Sequence, residues 1–530
     1  IISNLNSFFI FYEYLIKFIL YMISGKKEMN LNNFYDIVFN NKKIIINEDS
    51  LNKVDRSYKF LKEFSKDKII YGINTAFGPM AQYKIDDKNT SQLQYNLIRS
   101  HSSGTGNPIS KDCIKASMLA RLNTLCLGNS AVNKDVVILL KNLINKDILP
   151  VIYEHGGVGA SGDLVQLAHI ALALIGEGNV YYNGQIKKTK IALKKEKLRP
   201  INLKLRDGLA LINGTSVMTG IGLINTIYAK RLLDWMIICS SAINEIVSSY
   251  DDHFSFELNQ SKKHFGQREI AKRMRNFLKN SKLIRKRENF LYAKEANGKS
   301  FFEDKIQEYY SLRCVPQILG PALDTINNCE NILIEEINSA NDNPIIDPST
   351  KQVYHGGNFH GDYVSLEMDK LKLIVTKITI LSERQLNFLL NPKLNNILPP
   401  FVNLGKIGVN FGMQGTQFTA TSTTAENQML SNPMYVHSIP NNNDNQDIVS
   451  MGVNSSLICN KVINNAYEVL AIEIITIIQA IDFLEIDKKV CSKTKSMYNT
   501  IRNIVPKFKE DNIIYVNINK VKDHILNNDI

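Results

Sequence analysis

Residues 155–169 read HGGVGASGDLVQLAH, and the fold turns on what the four glycines of this stretch serve. Gly157-x-Gly159-x-x-Gly162 satisfies the letters of the dinucleotide-binding fingerprint, and a helix is expected after it. Leu164, Leu167, Ala168, Ala171, Leu174 and Ile175 recur at helical spacing. Asp163 suits the first turn, where a carboxylate meets the positive end of the helix dipole. The fingerprint also needs a βαβ unit and an acidic residue about 20 positions further on. Tyr182 stands there instead, and the nearest acid, Glu177, lies in a Gly-Glu-Gly turn. No Lys-Ser or Lys-Thr follows the glycines, so the stretch is not a P-loop. Gly-x-Ser-x-Gly is absent, so it is not a nucleophile elbow either. The context rejects a nucleotide site.

Outward from this stretch the chain reads as long helices. Residues 217–248, 365–390 and 455–484 are apolar at helical spacing and nearly free of Pro and Gly. All three carry scattered charges and are too polar for membrane spans. Strand signals are short, the clearest being VYYNGQIKK at 180–188, whose Asn-Gly step predicts a hairpin. The expected fold is therefore mainly α, a long helical bundle body with a mixed N-terminal region. Three segments follow: 1–28, a mixed region over 29–205, and a helical body over 206–530.

Over 530 residues, a hydrophobic content of 44% and a charged content of 22% are ordinary for a globular protein. The net charge of +12 is scattered, with denser runs at 187–199 and 262–287. Neither run carries interleaved aromatics or a nucleic-acid-binding module, so solvated faces are expected, with no nucleic acid and no membrane as partner. Such a surface favours anionic small-molecule substrates by steering. The cysteines at 113, 126, 239, 314, 329, 459 and 491 are odd in number and widely spaced. They indicate neither a disulfide framework nor a metal site, and a reducing cytoplasm is the expected location.

Residues 1–28 begin with Ile and include FFIFYEYLIKFILYMI at 8–23. Glu13 and Lys17 interrupt the run, and no small-residue cleavage site follows it. It is expected to be an upstream extension, with Met22 or Met29 as the start. Peptides from residues 1–21 in the native protein would overturn that expectation.

Several further stretches are rich in chemistry: YGINTAFG at 71–78, LINGTS at 211–216, YYSLRCVPQ at 309–317, NSANDNP at 338–344, GGNFHGD at 356–362 and NNNDNQDIVSMG at 441–452. Together with GGVGASGDL they resemble, in order and over nearly the whole chain, the aromatic amino acid ammonia-lyases and aminomutases. Within that family the resemblance is closest to bacterial tyrosine ammonia-lyases of the Flavobacterium type. It implies that Ala160-Ser161-Gly162 cyclises without help into 4-methylideneimidazol-5-one, with the Gly162 nitrogen attacking the Ala160 carbonyl. Loss of water leaves Ser161 as a dehydroalanine facing the substrate. A residue without a Cβ permits so tight a backbone approach.

By the same resemblance Tyr71 is the base for the β-proton. A free phenol has a pKa near 10, so its neighbours must favour the phenolate for it to act well. Arg313 grips the substrate carboxylate through a bidentate fork. Asn213 bonds near the prosthetic group, Tyr310 helps form or hold it, and Phe359 packs against it. Ser100, His101, Asn442, Asn445 and Gln446 are the implied substrate-binding residues. The resemblance further implies a homotetramer with sites shared between chains, and no catalytic metal or nucleotide. His355, His360 and Asp362 could pose as zinc ligands, but they lack the spacing of a zinc helix.

Taken singly, these residues have ordinary alternatives: Tyr71 as a core-edge residue, Asn213 as a turn or cap, Arg313 as an ion-pair partner, His101 as a satisfied core histidine. One departure stands out. The family's mobile loop carries glycine where this chain has Ala76, and a position needing positive φ would strain alanine there. The shielding insertion of longer plant members is absent.

Substrate choice rests on two positions. Ser100-His101 occupies the selectivity pair, as in histidine lyases and the tyrosine type, whereas phenylalanine lyases carry an apolar pair. Gln446 stands where histidine lyases carry glutamate, and a neutral amide suits a neutral ring. L-tyrosine to 4-coumarate is the expected reaction. L-histidine to urocanate, or an aminomutase using the same group, is the alternative.

Overall fold

The stretches with apolar residues every three or four positions become the helices Ser216–Ile246, Asp362–Leu390 and Gly452–Leu484. A computed structural model describes residues 20–23, 28–294, 300–303 and 305–530. Its described residues hold twenty α-helices and only short strands, which is the mainly α fold expected. Another long helix, Val315–Ile337, contains Pro321, and the Gly320-Pro321 step hides it from a reading of periodicity. None of the described helices is long and apolar enough to cross a membrane. Of residues 1–28, most lie outside the described residues. Residues 20–23 form a strand paired in parallel with Lys43–Ile46, and Tyr21 and Ile23 are buried.

The described residues divide into two units that interleave along the chain. The first takes the described residues up to Asn225, then Glu330–Asp369 and Pro433–Leu457. At its centre is the Lys111–Cys126 helix, buried continuously from Cys113 to Cys126. Ser110 caps it by accepting the Cys113 N–H at 3.3 Å. Asn179–Tyr182 and Gln185–Lys188 form the expected hairpin. Its Asn183-Gly184 turn has φ of 50° and 75°, the primed geometry that matches strand twist. The glycine-rich stretch does precede a helix, Leu164–Leu174, but the strand before it, Leu149–Pro150, pairs antiparallel with the hairpin. No βαβ unit is built there.

The second unit takes Thr226–Cys329, Lys370–Asn432 and Ile458–Ile530. Its part of the Gly452–Leu484 helix buries Ile472, Ile474, Ile475, Ile477, Ile478 and Ile481, each contributing about 1.5–3 kcal/mol of transfer free energy. Glu473 lies inside this apolar run. Ser382 donates to one of its oxygens, and the other has no partner. Burial pushes its pKa up from 4.5 to about 8, partly offset by the Ser382 bond. A carboxyl whose pKa is raised by folding stabilises fully below its unfolded value and loses that contribution as pH rises through the folded value. The variant Glu473→Gln carries no such penalty. Its melting temperature is expected to rise relative to the wild type between pH 5 and pH 9. Thermal melts across that range check this, and a constant difference would contradict it.

Candidate active site

The site is built in the first unit around the Ala-Ser-Gly tripeptide. Ala160 is buried with Val449 and Met451, while Ser161 lines a cavity of about 840 Å³. Gly162 has φ of +72°, and a Cβ there would stand 2.1 Å from the Gly214 carbonyl oxygen. That oxygen accepts the Asp163 N–H at 2.8 Å. On the other side of Gly162, the Asn213 amide donates to the Ser161 carbonyl at 3.0 Å. The peptide groups before and after Gly162 are thus both gripped by Asn213-Gly214. Asn213 cannot flip without loss, because its Oδ1 accepts the Asn343 N–H at 2.9 Å. Upstream, the Gly159 carbonyl accepts from Ser450 Oγ at 3.1 Å and from the Gly361 N–H at 3.2 Å. The tripeptide fits the cyclised group that the resemblance implies: a glycine in left-handed φ against bare backbone, and a serine side chain facing the cavity.

Asp163 does not cap the helix it begins. Its carboxylate accepts the N–H groups of Val217 and Met218 at 2.7 and 3.0 Å, capping the next long helix instead. Burial pushes its pKa up to about 7, against the pull of those two N–H groups and of Arg121.

The 71–85 segment folds over the cavity. Ala76 donates its N–H to the Tyr83 carbonyl at 3.0 Å, and Ile85 donates to Asn74 at 3.0 Å. Gly72 and Gly78 take the positive φ values, 75° and 53°, whereas Ala76 is absent from the positive-φ residues. The alanine therefore brings no backbone strain to this loop. Tyr71 packs edge-on to Phe77, and its hydroxyl oxygen accepts the Gly78 N–H at 3.0 Å. A negatively charged oxygen accepts such a bond more strongly than a neutral one.

One face of the Thr90–His101 helix forms the cavity wall. Leu93, Asn96, Leu97, Ser100 and His101 all line it, at the i, i+3, i+4, i+7, i+8 positions of a single stripe. His101 Nδ1 lies 2.9 Å from the Leu97 carbonyl oxygen. The same nitrogen lies 3.1 Å from Ser100 Oγ; a carbonyl can only accept, so the tautomer with its proton on Nδ1 satisfies the Leu97 contact and would leave Nε2 as an acceptor. Opposite stands the Asn-rich segment. Asn442, Asn443 and Asp444 have φ of 56°, 52° and 58°, a left-handed turn that asparagine and aspartate tolerate better than other residues with a Cβ. It brings Asn442, Asn445 and Gln446 to the cavity. The Gln446 amide donates to Ser161 Oγ at 2.7 Å.

The structure therefore brings together Tyr71, Ser100, His101, Ser161, Asn213, Phe359, Asn442, Asn445 and Gln446. Tyr310 and Arg313 belong to the second unit. They line a cavity of about 770 Å³ there with Lys305, Arg384 and Phe388. Arg313 lies over the Tyr310 ring, which is 70% exposed. His360 pairs with Asp362 at 3.1 Å. Among the described residues no group of His, Cys, Asp or Glu side chains is arranged to hold a metal ion. Leu93, Asn96 and Leu97 were missed from sequence, although their spacing from His101 could have found them. Asn343, within the NSANDNP stretch, holds Asn213 through its backbone N–H and accepts the Gly356 N–H with its side chain at 2.9 Å.

Comparison with known proteins adds four findings. The family model described as aromatic amino acid lyase matches residues 29–503. The chain is 38% identical to tyrosine 2,3-aminomutase of Chondromyces crocatus, over 84% of this chain and 85% of that one. It is 37% identical to histidine ammonia-lyase of Caldanaerobacter subterraneus, over 91% and 92%. Among solved structures, Pantoea agglomerans phenylalanine aminomutase superposes with a TM-score of 0.92 at 32% identity, covering 96% of this chain and 99% of that one.

Proposed function

The chain belongs to the aromatic amino acid lyase family, and from that membership we propose that it eliminates ammonia from L-tyrosine to give 4-coumarate, using a 4-methylideneimidazol-5-one made from Ala160-Ser161-Gly162. Once formed, that group would supply an electrophilic methylene that improves the departure of the substrate's nitrogen. Tyr71, as phenolate, accepts the β-proton at its oxygen and becomes the neutral phenol, with the Gly78 N–H supporting the charge beforehand. Asn213 holds the Ser161 carbonyl, and Phe359 closes the wall. Arg313, with Tyr310 beside it, binds the carboxylate from another copy in a homotetramer; the exposure of Tyr310 supports that role. The cytoplasm is the proposed location.

The observation that carries the substrate is the placement of Ser100 and His101 on the cavity wall. With Nδ1–H bonded to the Leu97 carbonyl, Nε2 offers an acceptor to which a phenol hydroxyl can donate. A site built for that bond rejects the analogue lacking it by about 10⁴–10⁵-fold, so L-phenylalanine is a poor substrate. An imidazole N–H could also donate to Nε2. Gln446 supports tyrosine, because its neutral amide gives an imidazolium no charge partner. Rates with tyrosine, histidine and phenylalanine, followed by product absorbance, test this directly. His101→Phe is expected to shift preference towards phenylalanine, and urocanate as main product would overturn tyrosine.

The similarity to tyrosine 2,3-aminomutase supports a second reading, in which ammonia returns to the β-carbon. Chromatography of the products separates β-tyrosine from 4-coumarate.

A further inference from the structure

Arg121 lies in the middle of the buried Lys111–Cys126 helix with no exposed surface. Among the described residues it forms no ion pair. One terminal nitrogen donates to the carbonyls of Ala210 and of Asn213, the latter at 2.8 Å, and the other donates to Asn341 Oδ1 at 3.3 Å. Its Nε has no partner. Burying a guanidinium costs several kcal/mol unless its surroundings repay it, and here the acceptors are neutral oxygens. Asp342 and Asp163 oppose the desolvation from further away, while Arg206 adds to it. A generic core position would not call for such a group.

The location explains it. The acceptors of Arg121 belong to the backbone that grips Gly162. Ala210 and Asn213 lie at and just beyond the end of the Asp207–Ile212 helix, where carbonyls lack intrahelical partners. Gly214 follows directly, and a Cβ on it would stand 2.4 Å from an Arg121 nitrogen. Asn341 is fixed in turn by donating to Thr215 Oγ1 at 2.8 Å. Arg121 therefore ties the turn at 210–214 to the 341 segment from beneath. The upper side of that turn presents the Asn213 amide to the Ser161 carbonyl and the Gly214 carbonyl to the Asp163 N–H.

We propose that Arg121 is a positioning residue for ring closure, setting the Asn213-Gly214 backbone that holds Gly162 against Ala160. The inference rests on the prosthetic group proposed above. In the closure the Gly162 nitrogen bonds the Ala160 carbonyl carbon. The oxygen of that carbonyl leaves as water with the protons of the Gly162 and Ser161 amides. A second water takes the Ser161 hydroxyl and its Cα proton. The Asn213 bond to Ser161 O supports the attack by making the Gly162 N–H more acidic, because it stabilises the charge this amide takes on as its proton leaves. A shift of this clamp by about 1 Å costs on the order of 100-fold in such a reaction.

The test is intact mass of folded, gel-filtered protein at fixed times after synthesis. Wild type is expected to be lighter than its encoded chain by two waters. Arg121→Met is expected to fold but acquire that deficit roughly 100-fold more slowly. Arg121→Lys keeps the charge without the planar fork and is expected to fall between the two. If Arg121→Met yields no folded protein, Arg121→Lys decides. A folded variant that matures at the wild-type rate overturns the role of Arg121. A wild type that shows no deficit overturns the prosthetic-group reading instead.

Discussion

Ser161→Ala is expected to fold like the wild type, to fall short of the two-water mass deficit, and to lose turnover by about 10³-fold or more, as when the covalent group of an enzyme is removed. The separation of fold from chemistry follows from how the tripeptide is held. Asn213 binds the carbonyl of Ser161, and Gly214 binds the N–H of Asp163. Both contacts are to backbone and survive the substitution. The Gln446 bond to Ser161 Oγ belongs to the uncyclised chain, so the mature wild type lacks it as the variant does. What disappears is the hydroxyl whose elimination would create the methylene. Intact mass and circular dichroism, beside product absorbance, check each part. A variant retaining wild-type turnover would place the chemistry elsewhere.

Tyr71→Phe is expected to lower kcat by about 10²–10⁴-fold, the range for removing a general base, while the two-water deficit forms as in wild type. The ring keeps its packing on Phe77. Only the oxygen goes, and with it the acceptor of the Gly78 N–H. Mass therefore distinguishes the two substitutions: one blocks the group from forming, the other leaves it formed and idle. Unchanged kcat in Tyr71→Phe would assign the β-proton to another base.

Much of this was legible before the structure. Helices such as Gly452–Leu484 announce themselves because apolar residues at helical spacing are uninterrupted by proline. The 180–188 hairpin did so through its Asn-Gly turn. Val315–Ile337 did not, since Pro321 reads as a breaker when its neighbours in space are unknown. Whether Ala76 would be strained depended on its φ, which is set by the hydrogen bonding of the whole 71–85 segment, and the position takes no positive φ. Gly72 and Gly78 absorb the reversal instead. Arg121 was invisible for another reason. A single arginine among Met118, Leu119 and Leu122 carries no pattern, and its value comes from carbonyls about ninety positions away. Interleaving of the two units likewise leaves no mark in composition.

The left-handed turn at 442–444 bears on how this site can be altered. Three adjacent positions there demand a conformation that most side chains resist at roughly 1–2 kcal/mol each. The usable alphabet at Asn442, Asn443 and Asp444 shrinks to asparagine, aspartate and glycine. Asn445 and Gln446, the next two residues, carry no such restriction. A combinatorial library spread evenly over the segment would spend most of its members on chains whose loop has unwound. One confined to 445 and 446 explores ring recognition on an intact frame. Substrate range is thus free to drift at one end of this loop and locked by its own backbone at the other.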